Sequence, residues 1–171
     1  MDNLILDKIN KALKEVKKEK EVDKFIKENA NEFALLEKKV LNYVTYMKRT
    51  EFEVRKKFEK ENQEILEMII TELENQEFLN DDMFVKVFLQ NAIKTKINSI
   101  FELKMKLKQK GISNYLIDKN IKELEPELNN YEIKNIKQII QNKRNDDEQK
   151  IKLYILRKGY LKENLNIAKE E

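Results

Sequence analysis

The chain has 171 residues, 39% of them charged, a net charge of +3, two glycines, one proline, and neither histidine nor cysteine. So few turn formers exclude a many-stranded fold, and the missing residue types remove the commonest general base and metal ligand and any thiolate chemistry. Leu, Ile, Val and Phe at helical spacing argue against disorder, which leaves an all-α protein whose near-balanced charge does not by itself imply nucleic acid.

Residues 3–28 read as one amphipathic helix, with Ile5, Ile9, Leu13 and Val16 on a single face. Its middle, Lys14 to Lys24, is nearly all charged, so it is exposed or projects from the body. The lysines alternate with Glu15, Glu19, Glu21 and Asp23, which argues against a helix lying on a membrane surface. Charges near Met1 argue against a secretory signal, and no apolar run approaches the roughly 18 residues of a membrane span. Absent disulfides fit a reducing cytoplasm.

A second helix is expected over 33–48, with Leu36, Val40, Tyr43, Val44 and Met47 inward. Thr50 and Glu53 form a capping-box pair that opens a helix to about residue 60. A wide stripe of Ile65, Leu66, Ile69, Ile70 and Leu73 marks the next helix, over 63–76. Acidic Asp81 and Asp82 suit the start of a helix that carries Phe84, Val87, Phe88 and Ile93. Ser99 with Glu102 repeats the capping box, and a helix from Ser113 carries Leu116, Ile117, Ile121 and Leu124. Pro126 sets a boundary. Leu128 to Ile140, a helix capped by Asp147, and a short helix with Leu161, Leu165 and Ile167 complete the chain.

The two glycines set a register. Gly111 and Gly159 stand 48 residues apart, each just after a lysine in a basic last turn, and read as left-handed helix stops. Twelve residues before them stand Ser99 and Asp147, and Thr50 lies 49 residues before Ser99. The buried i, i+4 pairs match as well: Val54 and Phe58, Leu103 and Leu107, Ile151 and Ile155. At the first stop the glycine is replaced by Asn62, the next best left-handed residue. The expected architecture is a tandem array of three three-helix repeats, elongated and curved, over 33–78, 79–124 and 125–171, with an extra N-terminal helical extension over 1–32.

Several strings in this register resemble the RecX family, bacterial modulators of the RecA recombinase. They are Lys48-Arg49-Thr50-Glu51-Phe52-Glu53-Val54, Phe78-Leu79-Asn80-Asp81-Asp82-Met83-Phe84, Glu102-Leu103 with Leu107 and Lys110-Gly111-Ile112, and Leu156-Arg157-Lys158-Gly159-Tyr160. The resemblance covers about residues 36–171; Val85 departs from it where a small residue is expected, and the N-terminal segment draws no support from it. It implies a non-enzymatic regulator, monomeric and cytoplasmic, that lies in the groove of the RecA filament on single-stranded DNA and restrains ATP hydrolysis and strand exchange. Direct contact with single-stranded DNA is left open.

No catalytic, cofactor or metal residues are expected. The carboxylate pairs Asp81-Asp82 and Asp146-Asp147 stand where helices begin and read as caps rather than cation ligands. Basic residues are the better lead: residues 99–145 hold 10 Lys and Arg against 6 Asp and Glu, while 50–98 hold 7 against 11. Arg55, Lys104 and Lys152 occupy equivalent places and would form a row in a regular stack. Lys106, Lys108, Arg157 and Lys158 extend this candidate partner- or DNA-binding face. A solvated face with cations at helix C-termini accounts for the same residues. Tyr154 and Tyr160 are the aromatics expected at the surface. The alternatives are a nucleic-acid-binding module and a generic helical-repeat scaffold.

Overall fold

A computed structural model of the chain describes residues 14, 17, 20–95 and 97–170. Among these, every regular element is helical. A helical stretch over 20–28 turns at Asn29 into α1 (Ala30–Tyr46). Then follow α2 (Glu51–Lys57), α3 (Gln63–Asn75), α4 (Asp81–Thr95), α5 (Ile100–Gln109), α6 (Asn114–Glu123), α7 (Glu125–Asn142), α8 (Glu148–Arg157) and α9 (Lys162–Glu170). Of the expected helix over 3–28, residues 3–19 lie outside the described residues except Lys14 and Lys17. Asn29 barely interrupts its surroundings: its amide and side chain both donate to the Phe25 carbonyl, and its own carbonyl accepts from Phe33.

Local chemistry explains most boundaries. Thr50 and Ser99 make complete capping boxes with Glu53 and Glu102, and Asp147 accepts from the Lys150 amide. Gly111 and Gly159 have φ of 79° and 80°. Each donates to the carbonyl three residues back, while Ile112 and Tyr160 donate to those of Leu107 and Ile155. This is the Schellman pattern, which only a left-handed residue closes without strain. Leu124 ends α6 and starts α7 at once, and Pro126 sits in the first turn of α7, where its missing N–H has no intrahelical partner to lose.

The most extensive packing is α1 on α3, α4 on α6 and α7 on α9. Core side chains fall into three clusters. The first joins Leu36, Val40 and Val44 to Val54, Ile65, Leu66 and Ile69. The second joins Val85 and Leu89 to Leu103, Leu107 and Ile117, and the third joins Ile136 to Ile151, Ile155 and Leu165. Leu128 and Tyr131, early in α7, belong to the second cluster, while Ile136 belongs to the third, so α7 spans both. Each fully buried Leu or Ile contributes about 1.5–3 kcal/mol before chain entropy is subtracted.

Several local expectations are corrected. In α4 the buried face is Val85, Leu89 and Ala92; Phe84, Phe88 and Ile93 flank it, half-covered. A face at i, i+4, i+7 one residue along the helix satisfies the same periodicity. Met47 is exposed because α1 ends at Tyr46 and the chain turns extended. Asn62 is no left-handed stop: its φ is −61°, and its side chain caps α3 by accepting from the amides of Glu64 and Ile65. The non-glycine residue with positive φ among the described residues is Glu77, at 59°, which ends α3. Tyr160 is buried rather than open, because the residue after a Schellman glycine folds back on its own helix. Burial pushes its hydroxyl pKa up. In α9 the buried face is Asn164, Leu165 and Ala168, leaving Leu161 and Ile167 half-exposed.

Candidate functional site

The capping boxes and glycine stops, read as separate local signals, meet in space. The Thr50 hydroxyl accepts from the Glu53 amide at 3.2 Å and donates to the Lys110 carbonyl at 2.7 Å, 60 residues away. Ser99 does the same between the Glu102 amide, at 3.1 Å, and the Lys158 carbonyl, at 2.7 Å. The lysine ammoniums return to the glutamates: Lys110 to Glu53 at 2.7 Å, and Lys158 to Glu102 at 3.3 Å. One residue further, Phe52 lies over Gly111 and Phe101 over Gly159. A Cβ on Gly111 would stand 2.2 Å from the Phe52 Cβ, and one on Gly159 2.8 Å from that of Phe101. The glycines therefore close their helices and also admit a neighbouring aromatic ring.

Acidic side chains of α4 and α7 complete the two junctions. Asp81 accepts from the Glu51 amide at 3.0 Å, and Glu132 from the Ile100 amide at 2.9 Å. Glu132 is wholly buried and also accepts from the Leu161 amide and the Asn164 side chain, so one carboxylate ties α5, α7 and α9 together. Asp81 and Asp82 are thus not caps of their own helix: Asn80 accepts from the Met83 amide, and Asp82 holds Lys119 and Asn120 of α6. Burial pushes the Asp81 carboxyl up, partly offset by the Glu51 amide. Burial also pushes Glu53 up, but Lys110 and the Thr50 amide outweigh it and leave its pKa lowered.

At the third position the junction chemistry changes. Asp147 stands where Thr50 and Ser99 stand, and a carboxylate has no proton to donate to a carbonyl. Gln149 replaces the phenylalanine and Lys150 the glutamate.

The predicted basic residues are not one free row. Arg55 is held by Glu51 at 2.6 Å and by Glu67 of α3. Lys104, at the equivalent place, is held by Asp118 of α6 at 2.9 Å. Lys106 donates to the Asn98 side chain, and Lys158 belongs to the junction. Lys108, Lys152 and Arg157 are exposed and make no ion pair among the described residues.

Sequence reasoning missed an open groove of about 630 Å³ between α5 and α8. Its apolar floor is Phe101, Leu153 and Tyr154, exposed by 56%, 58% and 40%, too much for core residues. Lys150, Arg157 and Lys158 rim it. A second groove, of about 550 Å³, lies on the other side of Phe101 against Ile121, Leu128 and Leu161. The available signal was that Phe101 and Leu153 fall outside the buried i, i+4 pairs of their helices. Among the described residues no cluster of Asp and Glu could hold a metal ion, and no helix is long and apolar enough to cross a membrane.

No family model matches the chain. The regulatory protein RecX of Limosilactobacillus reuteri (strain DSM 20016) is 25% identical over 140 residues, covering 78% of this chain and 53% of that protein. RecX of Listeria monocytogenes serotype 4b (strain CLIP80459) is 26% identical over 140 residues, covering 78% and 52%. RecX of Streptococcus agalactiae serotype III (strain NEM316) is 31% identical over 83 residues, covering 47% and 32%. The chain thus spans about half, or less, of the length of the curated relatives it matches. The crystal structure of RecX from Lactobacillus salivarius superposes with a TM-score of 0.73 at 19% identity, covering 82% of this chain and 96% of that one. A second RecX crystal structure also gives 0.73, at 22% identity, over 84% and 75%. At these identities the structural likeness carries the fold.

Proposed function

We propose that this chain, which belongs to the RecX family, is a non-enzymatic regulator that binds the RecA filament on single-stranded DNA and restrains its ATP hydrolysis and strand exchange. The observation that carries this reading is the match, over 140 residues, to proteins called regulatory protein RecX. The repeated junctions support it. Units over 33–78, 79–124 and 125–171, held by the same contacts at each step, would present equivalent surfaces to successive protomers of a helical filament. On this reading the protein is a cytoplasmic monomer with an N-terminal extension over 1–32. Its contacts fall to Lys108, Lys152 and Arg157 more than to Arg55 and Lys104, which already hold acids of their own unit.

The test is the ATPase of the cognate recombinase on single-stranded DNA. Hydrolysis is expected to slow at substoichiometric to equimolar ratios of this protein, and an unchanged rate at excess rejects the proposal. A second reading, a direct nucleic-acid-binding module, draws on the same exposed cations. It requires salt-steep anisotropy with single-stranded DNA when the recombinase is left out.

A further inference from the structure

We propose that the groove between α5 and α8 docks an acidic, amphipathic protein segment, which sets an apolar side chain on Phe101 and Leu153 and carboxylates against Lys150 and Arg157. The α2–α5 junction has the same cap, lysine and glycine contacts as the α5–α8 junction. The corresponding places beside it carry different chemistry: Glu102 where Lys150 stands, Lys106 where Tyr154 stands, Gln109 where Arg157 stands. There, two carboxylates, Glu53 and Glu102, balance two cations, Lys106 and Lys110. At the α5–α8 groove a single carboxylate, Glu102, meets three cations and is already bound to Lys158. Lys150 and Arg157 are left exposed, with no ion pair among the described residues. The shared junction does not require them, so packing does not explain the excess charge.

The floor selects the partner. Leu153 is the most exposed apolar side chain of the groove, and an aliphatic group offers no face on which a base can stack. One side of the Tyr154 ring is covered by the Lys143 ammonium, 4.8 Å from its centre. An exposed apolar floor with a cationic rim suits a peptide that inserts a hydrophobic anchor between acidic residues.

Fluorescence anisotropy with a labelled peptide of about 12 residues, Phe and Leu alternating with Asp and Glu, tests this on the full chain. The chain is expected to bind the peptide, more weakly as salt rises. Two variants, Leu153→Ser and the pair Lys150→Glu with Arg157→Gln, are each expected to weaken binding about tenfold or more. The paired variant installs the residues that α5 carries at the same places, so the fold has a precedent for them; urea midpoints matching the parent's verify folding. Met105→Ser, at the place of Leu153 in the α2–α5 junction, leaves binding unchanged. Absence of binding at low salt, or equal binding by the parent and both variants, overturns the proposal. So does tighter binding of an oligothymidylate of about 20 nucleotides with the same losses in the variants. The assay contains no recombinase, so its outcome is separable from that of the ATPase test.

Discussion

Gly111→Ala is expected to cost more than a helix stop alone explains. Holding an L-residue at φ 79° costs about 1–2 kcal/mol. The added Cβ would also stand 2.2 Å from the Cβ and 2.3 Å from the Cγ of Phe52; a change of χ1 moves the Cγ, but the Cβ is fixed by the α2 backbone. The α2–α5 junction must open, and an overpacking penalty of about 1–3 kcal/mol adds to the strain. The total is about 2–5 kcal/mol. At Gly159 the backbone strain is the same, but the nearest Phe101 atoms stand at 2.8 Å, so Gly159→Ala is expected to fall toward the lower end of that range. Urea unfolding of both variants measures the difference, and a cycle with Phe52→Ala, which keeps the Cβ, isolates the ring's share of the contact. Without the Phe52 ring the cost of Gly111→Ala should drop by about 1 kcal/mol. Equal costs for the two glycines, near 1 kcal/mol and additive with Phe52→Ala, would refute the close-approach argument and leave only the helix stop.

Thr50→Asp keeps a good N-cap acceptor but removes the proton given to the Lys110 carbonyl. It is expected to lose about 1–3 kcal/mol in thermal or urea unfolding, much as Thr50→Val does, whereas a cap without a donor role would tolerate Asp. Glu77→Gly should stabilise the protein by about 0.5–1 kcal/mol, since Glu77 ends α3 at a φ of 59° without glycine's freedom. The folded state holds Glu53 below its ordinary pKa, so its ionised form adds stability. That stability is fully present above about pH 5 and is lost as pH falls through the lowered value. Asp81, pushed up by burial, acts in the opposite sense over the carboxylate range. Glu53→Gln should therefore flatten the acid limb of a stability–pH curve; an unchanged limb would show that the Lys110 pair contributes nothing.

The sequence alone was enough to determine the helices and most of their ends. Caps, stops and apolar stripes act between residues at most five apart, so Thr50 with Glu53, Lys110 with Gly111, and Leu103 with Leu107 carry their meaning locally. Where two local readings were available, the sequence could not choose between them. Asn62 suits a left-handed stop or a cap, and the early end of α2 makes it a cap. The α4 stripe admits two faces a residue apart, and packing against α6 selects Val85 and Leu89.

Only the tertiary structure decided what these signals do together. The Thr50 hydroxyl reaches a carbonyl 60 residues away, the Phe52 ring lies where Gly111 has no side chain, and Glu132 satisfies three donors on two other segments. These contacts are non-local, so no periodicity or spacing encodes them. The same holds for the basic row. Arg55, Lys104 and Lys152 are equivalent in sequence, yet Glu67 and Asp118 hold the first two and no described acid holds the third. A charge is available to a partner only when the fold has not already paired it, and that depends on which helix lies beside it.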